Sequence, residues 1–216
     1  MYSLSEENYL KAIYHLQGET GEAVSTNAIA DRMETKASSV TDMIKKLSEK
    51  TLVTYVKYQG VHLTEEGRLA ALKVIRKHRL WEVFLVEKLQ FTWDQVHAIA
   101  EQLEHIQSEQ LIDRLNTFLG DPKFDPHGDP IPDKDGNFSE HHNKVLADLT
   151  DDDKGVCVGV KESDDQFLQY LNRHKIGIGS QITVLDKEEY DGSMLIQIAG
   201  KELFISGEIA NNIYIN

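Results

Sequence analysis

Residues 95–109 read QVHAIAEQLEHIQSE, and within them His97, Glu101, Glu104 and His105 stand at i, i+4, i+7 and i+8. One unbroken helix would carry all four on a single stripe. A second pair, His78 and Glu82, is spaced i, i+4 within LKVIRKHRLWEVFLV. Two imidazoles among carboxylates, with no thiol nearby, make a donor set for a borderline-to-hard divalent cation. A charged helix face in water is the other reading, because Glu and His are ordinary surface residues. Two such sets on consecutive helices weigh against it. Carboxylate and imidazole clusters also serve dinuclear hydrolases. The HExxH arrangement is absent, since Glu104 and His105 are adjacent and no His lies three residues before Glu104.

Helices must position these groups. Over residues 6–17 the apolar positions Tyr9, Leu10, Ile13, Tyr14 and Leu16 have helical period, with Ser5 as the expected N-cap. Ser25 or Thr26 can cap a short helix that buries Ala28, Ile29 and Met33. A tight connection at 34–36 leads to a helix over 37–50, buried through Val40, Met43, Ile44 and Leu47. Two short helices around such a turn form a helix-turn-helix. Residues 52–57 and 61–63 then read as a hairpin turning at Gln59-Gly60, which completes winged-helix order. Thr64 caps the following helix, with Glu65 and Glu66 in the first turn, where the dipole favours them.

All four prolines fall within residues 120–137, an irregular connection. Beyond about Thr150 short strands are expected at 156–160, 181–185, 195–198, 201–205 and 210–215, interrupted by a helix at 164–173. These make a small β-barrel-like module. The fold class is mainly α with small β. The expected domains are 1–72 (winged helix), 73–140 (helical) and 150–216 (β module).

The exposed side of the second helix would present Lys36, Ser38, Ser39, Thr41, Asp42, Lys45 and Lys46, with Lys57 beside it on the hairpin. Hydroxyls, lysines and a helix N-terminus suit phosphates and base edges. A winged helix used only for protein contacts is the alternative. Against DNA stands the formal net charge of −13, from 23 basic and 36 acidic residues. Such a chain is repelled by phosphate at long range unless a local basic surface or a bound cation offsets it.

The remaining features bound the problem. No apolar run reaches bilayer length, and the N-terminus lacks an export pattern. The single cysteine, Cys157 in GVCVGV, excludes an intrachain disulfide and suits a reducing cytoplasm as a buried thiol. His15, His62 and His174 are isolated and read as surface residues, as do His141 and His142. Trp81 and Trp93 read as core or dimer-interface residues. The Phe84, Leu85 and Leu89 stripe fits a dimer contact or an intrachain core equally.

The motifs ENYLKAIYHL, SSVTDMIKKL, LTEEGRLAAL, RKHRLWEVFLV, QVHAIAEQLEHIQSE and DPHGDPIP, in this order, resemble the diphtheria-toxin-repressor family of metal-dependent transcriptional regulators. The similarity is to its manganese-responsive, streptococcal-type branch, and it covers nearly the whole chain. It implies a cytoplasmic homodimer that represses metal-uptake genes from palindromic double-stranded operator DNA. The architecture implied is an N-terminal winged helix-turn-helix, a helical dimerisation domain and a C-terminal SH3-like (FeoA-like) β-barrel. Neither enzyme activity, an organic substrate nor a membrane is implied.

The resemblance also implies ligands. One site would use Asn8, Glu101, Glu104 and His105. An ancillary site would use His78, Glu82 and His97, with Asp125, His127 and one of Glu162, Asp164 or Gln166. Iron-responsive members carry a cysteine at the Glu101 position. The harder carboxylate here points to Mn²⁺, with Fe²⁺ the alternative and Zn²⁺ or Cd²⁺ as occupants in vitro. Manganese-responsive relatives have an aspartate at the Asn8 position, and their bacillary form has a glutamate at Lys11. Lys11 is expected to repel a second cation.

Overall fold

A computed structural model describes residues 2–18, 21–56, 60–138, 144–161 and 165–216. The chain divides into two compact units. The first comprises Met1–His78, Gln102–Glu109 and Pro132–Asn137, and the second comprises Arg79–Glu101, Gln110–Ile131 and Phe138–Asn216.

In the first unit, helix α1 (Leu4–Gln17) is capped by Ser3, not by Ser5 as expected. The reason is reciprocal bonding across four residues: Glu6 N–H donates to Ser3 Oγ (3.3 Å) and Ser3 N–H donates to Glu6 Oε2 (2.9 Å). A capping box satisfies two amides at once, which Ser5 inside the first turn cannot do. Helix α2 (Thr26–Arg32) begins at Ser25, whose hydroxyl accepts from Ala28 N–H. Helix α3 (Ala37–Glu49) follows as expected and buries Val40, Ile44 and Leu47. Strands β1 (Val53–Val56) and β2 (Gly60–Leu63) pair antiparallel from Val53↔Leu63 to Val56↔Gly60. The expected turn residue Gln59 lies outside the described residues. One apolar core ties these elements together through Leu10, Ile13, Ile29, Val40, Leu52 and Val61.

Helix α4 (Glu65–Leu89) contributes its residues through His78 to the first unit and those from Arg79 to the second. Helix α5 (His97–Leu103) is much shorter than the helix expected over 95–109. Glu104 and His105 lie in the turn beyond it, so the four ligand candidates do not share one helical stripe. Glu104 is fully buried, and leaving the helix lets its carboxylate meet Lys11 and His78. Those contacts offset the cost of removing a carboxylate from water. Helix α6 (Glu109–Phe118), not anticipated from the sequence, follows and buries Ile112 and Leu115. Leu80, Val83, Ile112, Leu115, Leu119 and Ile131 form a core of the second unit.

The C-terminal module holds β3 (Lys154–Val160), α7 (Asp165–Arg173), β4 (Gln181–Lys187), β5 (Met194–Ile198), β6 (Lys201–Ile205), α8 (Gly207–Asn211) and β7 (Ile213–Ile215). Its strands form one antiparallel five-stranded sheet in the order β6-β5-β4-β3-β7. This is the small strand-rich module expected, with no pairing between β6 and β7 among the described residues. The strand expected at 210–215 is replaced in part: Ser206 caps α8 by accepting from Ile209 N–H, and only Ile213–Ile215 is extended. Trp93 joins the core of this module, with Leu146, Cys157, Leu171, Val184 and Ile196. Burial pushes the Cys157 thiol up to about 11, which fits a packing role. No helix of the described residues is long and apolar enough to cross a membrane.

The proline-rich connection is irregular, as expected, but it is pinned against β3. Val160 N–H donates to the His127 carbonyl (2.6 Å). Gly128 and Gly159 meet backbone to backbone: a Cβ on Gly159 would lie 2.6 Å from Gly128 Cα and 2.9 Å from the His127 carbonyl. Both are backbone atoms that cannot swing aside. Gly159→Ala should therefore cost about 1–3 kcal/mol, as overpacking typically does. Denaturant unfolding checks this, and an unchanged midpoint would mean the loop is free to lift away from β3.

Candidate metal centre

In the first unit, α1 delivers Glu7, Asn8 and Lys11, α4 delivers Lys77 and His78, and the turn after α5 delivers Glu104 and His105. Glu104 Oε2 is doubly held, 2.7 Å from Lys11 Nζ and 2.6 Å from His78 Nδ1. Its other oxygen is different. Glu104 Oε1 and Asn8 Oδ1 are both buried and have no hydrogen-bond partner among the described residues. A buried acceptor left bare costs about 1–3 kcal/mol, so each of these oxygens is suited to receive an electrophile.

His105 is prepared in the same sense. Its Nδ1 lies 2.6 Å from Glu7 Oε2, a contact in which an Nδ1–H donates to the carboxylate. That choice of tautomer leaves the Nε2 lone pair free to ligate, and Nε2 is 3.7 Å from Glu104 Oε1. A carboxylate holding the far nitrogen is how metal-binding imidazoles are usually oriented. Glu7 is in turn fixed by Gln107 Nε2 (3.0 Å) and Lys77 Nζ (3.5 Å). Glu7 is not among the ligands that the resemblance implies, and here it orients His105. Two acids in the first turn of a helix look like dipole partners, and only their burial separates Glu6 and Glu7 from that role.

A second cluster lies in the second unit. Glu82 on α4 and Asp125 and His127 on the proline-rich connection are all buried, and one ligand atom from each lies within 4.8 Å of the others. The His127 ring stacks on Trp93 at 6.2 Å between centroids. Its Nε2–H donates to the Trp93 carbonyl (2.8 Å), which turns Nδ1 toward Glu82 Oε2 at 3.5 Å. Asp125 Oδ1 accepts from the amides of His127 (2.8 Å) and Asp129 (3.0 Å), and its Oδ2 is 3.6 Å from Arg79 Nε. Arg79 is a further participant not anticipated from the sequence; it also donates to the Pro130 carbonyl. His97 is more exposed and lies 3.4 Å from Glu82 Oε1 and 3.6 Å from Glu101 Oε1.

The electrostatics of this second cluster are those of anions short of a counter-charge. Burial, with the charges of Glu82 and Asp129, raises the Asp125 carboxyl to about 7, against the opposing pull of Arg79 and His127. For His127, burial alone would lower the pKa. The hydrogen bond to Glu82 and the charges of Glu82 and Asp125 outweigh it and raise the imidazole to about 9. A proton on His127 thus neutralises the cluster where a divalent ion could do so instead. Both clusters have donors suited to a hard or borderline cation.

The predicted DNA-reading side chains are placed as follows. Lys36 is the N-cap residue of α3, and Ser38 and Ser39 are exposed in its first turn. Thr41 donates its hydroxyl to the Ala37 carbonyl. Lys45 is exposed, 3.7 Å from Asp42. Lys46 is committed elsewhere, 3.1 Å from the buried Glu6, which also receives Lys50 at 2.7 Å. Burial opposes ionisation of Glu6, yet the bonds from Lys50, the Ser3 amide and Lys46 hold it down at about 2. Lys57, Glu162 and Asp164 lie outside the described residues, as do His141 and His142. Gln166 is exposed on α7.

The fold and these clusters define a winged-helix protein with buried cation-type donor sets. Three family models match the chain in succession. They are the iron dependent repressor N-terminal DNA binding domain over residues 1–61, the iron dependent repressor metal binding and dimerisation domain over 64–133, and the FeoA domain over 144–216. The diphtheria toxin repressor of Corynebacterium diphtheriae is 30% identical over 220 residues, covering 97% of this chain and 95% of that protein. The iron-dependent repressor IdeR of Mycobacterium tuberculosis is 36% identical over 126 residues, 58% of this chain and 54% of the relative, so the chain spans about half the length of that protein. A solved manganese-dependent transcriptional repressor in complex with manganese superposes with a TM-score of 0.81 at 37% identity, covering 98% of this chain and 99% of that one. The chain belongs to the iron-dependent repressor family, that of the diphtheria toxin repressor. The hydrolase alternative has no counterpart among these relatives, which are named as repressors.

The Glu82–His127 contact gives a test that needs no metal. Removing the Glu82 charge removes the largest favourable influence on the imidazolium. In Glu82→Gln the His127 pKa should fall from about 9 by a unit or more. Imidazole NMR titration of the chelator-treated protein reads it, and an unmoved pKa would break the pairing. The sign for stability follows. His127 favours the fold below its ordinary value of 6.5, and that contribution is lost as pH rises through 9. The raised Asp125 likewise costs more stability as pH rises from 3.8 through 7.

Proposed function

We propose that the protein is a metal-dependent transcriptional repressor, activated by Mn²⁺, that acts as a cytoplasmic homodimer on palindromic operator DNA of metal-uptake genes. The observation that carries this reading is the pair of bare buried oxygens, Asn8 Oδ1 and Glu104 Oε1, in a unit built on a winged helix. Asn8, Glu104 and His105 of the first unit would hold one ion. Glu82, Asp125 and His127 of the second unit would hold the other, with His97 close to Glu82. When bound, the ion supplies positive charge and coordination positions for hard oxygen and imidazole nitrogen. The domain assignment that accompanies this reading is 1–72 for DNA binding, 73–140 for metal binding and dimerisation, and 150–216 for the FeoA-like module.

The chain's own residues transmit the effect. Asn8 and Glu7 belong to α1, whereas Glu104 and His105 follow α5, so a shared ion ties two segments far apart in sequence. Directly before Glu7 on α1, Glu6 pairs with Lys46 and Lys50 at the end of α3. A fixed α1 therefore fixes the helix whose exposed N-terminal turn carries Lys36, Ser38 and Ser39. In a homodimer the two copies of α3 must stand about one DNA turn apart, ~34 Å, to engage successive major grooves. Metal selects that arrangement by binding it more tightly than the others. Added positive charge also offsets the net −13 that opposes phosphate.

Fe²⁺ is the second reading, favoured by the iron-dependent relatives. Glu101, a hard carboxylate, favours Mn²⁺. The test is a gel-shift titration on duplexes selected from a random library by the Mn²⁺-loaded protein. Glu104→Ala should lose Mn²⁺-dependent retardation by about two orders of magnitude, as expected when a ligand is removed from a metal site, with its circular dichroism unchanged. Retardation equal to wild type would remove Glu104 from the mechanism. Retardation by wild type that is indifferent to chelator would remove the metal.

A further inference from the structure

The cluster around Glu104 already contains a cation of its own. Lys11 Nζ lies 2.7 Å from Glu104 Oε2, and its side chain is only 13% exposed. The same ammonium is 3.3 Å from His78 Nδ1. Glu104 is thus divided: Oε2 is saturated by Lys11 and His78, and Oε1 is bare. A charged amine in this position is not there to solvate itself, since it forgoes most of its water to reach a buried carboxylate. It acts on any ion that Glu104 receives in two ways. It adds a like charge beside the site, and it withholds the second oxygen, so that Glu104 can offer an ion one oxygen only.

We propose that Lys11 is a tethered counter-cation that sets the metal threshold of this site: it stays on Glu104 Oε2 when a divalent ion binds at Oε1, and by doing so weakens that binding. This rests on the reading of Glu104 as a metal ligand. It adds that the affinity is held down by a residue that is not itself a ligand. Lys11 is a positioning residue here, and its charge is the property that counts. An arginine at the same place keeps the effect. A neutral side chain of similar length removes it and frees the second oxygen.

The experiment is titration of Mn²⁺ alone into the chelator-treated full-length protein, followed by loss of the six-line paramagnetic resonance signal of the free ion. Wild type is compared with Lys11→Met, Lys11→Gln, Lys11→Arg and Glu104→Ala, each first checked by circular dichroism. Lys11→Met and Lys11→Gln should bind Mn²⁺ at the Glu104-dependent site about tenfold tighter than wild type, or more, because a nearby like charge is gone. Lys11→Arg should stay near wild type. Equal or weaker binding by the neutral variants, with Glu104→Ala still losing one ion, overturns the proposal and leaves the metal reading standing. No difference between Glu104→Ala and wild type overturns both. A readout in the unmutated protein guards against misfolded variants: amine acetylation of Lys11, followed by mass spectrometry, should be as slow with saturating Mn²⁺ as without it. Faster labelling with Mn²⁺ would mean the ammonium is expelled, which contradicts the proposal.

Discussion

Carboxylates removed from water need positive charge, and the architecture of this chain is organised around supplying it. Glu6, Glu7, Glu82, Glu104 and Asp125 are all buried. An isolated ionised carboxylate in such a setting is too costly to keep. Each of the five meets the cost differently. Glu6 takes Lys46 and Lys50 at the end of α3, Glu7 takes Lys77 and a hydrogen bond from His105, and Glu104 takes Lys11 and a contact with His78. Asp125 takes Arg79 and Glu82 takes His127, and the raised Asp125 pKa shows how incompletely those groups suffice.

The difference between satisfied and unsatisfied carboxylates separates structural from responsive sites. Glu6 is held far below the usual carboxylate range, so its pairing with α3 is permanent at any physiological pH. It links α1 to the C-terminal end of α3. Glu104 keeps one oxygen without a hydrogen-bond partner, as does Asn8. Asp125 and His127 titrate close enough to neutrality that a proton and a metal ion can exchange places. On the proposed function, the permanent pair carries what the exchangeable sites sense.

Much of this was legible in the sequence where a local rule operates. The apolar period of Tyr9, Leu10 and Ile13, and that of Val40, Ile44 and Leu47, specifies helices whatever surrounds them, and α1 and α3 follow it. The ligand-type residues were legible by type and spacing, but their placement was not. A continuous helical stripe over 95–109 satisfies the periodicity, yet α5 stops at Leu103 because Glu104 gains partners 93 and 26 residues away in sequence. Long-range ionic contacts leave no periodic trace. The pairing of Lys46 with the buried Glu6 is of the same long-range kind. At the C-terminal end, the cap at Ser206 starts α8, whose last two residues, Ala210 and Asn211, fall within the strand expected at 210–215. The strand-rich C-terminal module is legible from its alternating apolar segments, whereas the strand order β6-β5-β4-β3-β7 is not.

The most direct test of the central claim is crystallographic. Crystals of the protein grown with Mn²⁺, measured at the manganese absorption edge, should give an anomalous-difference peak within about 2.5 Å of Glu104 Oε1, Asn8 Oδ1 and His105 Nε2. A map with no peak at those atoms, while the protein holds manganese elsewhere, would contradict the account: the two bare oxygens would then be mere packing defects, and the responsive site would have to be sought in another part of the chain.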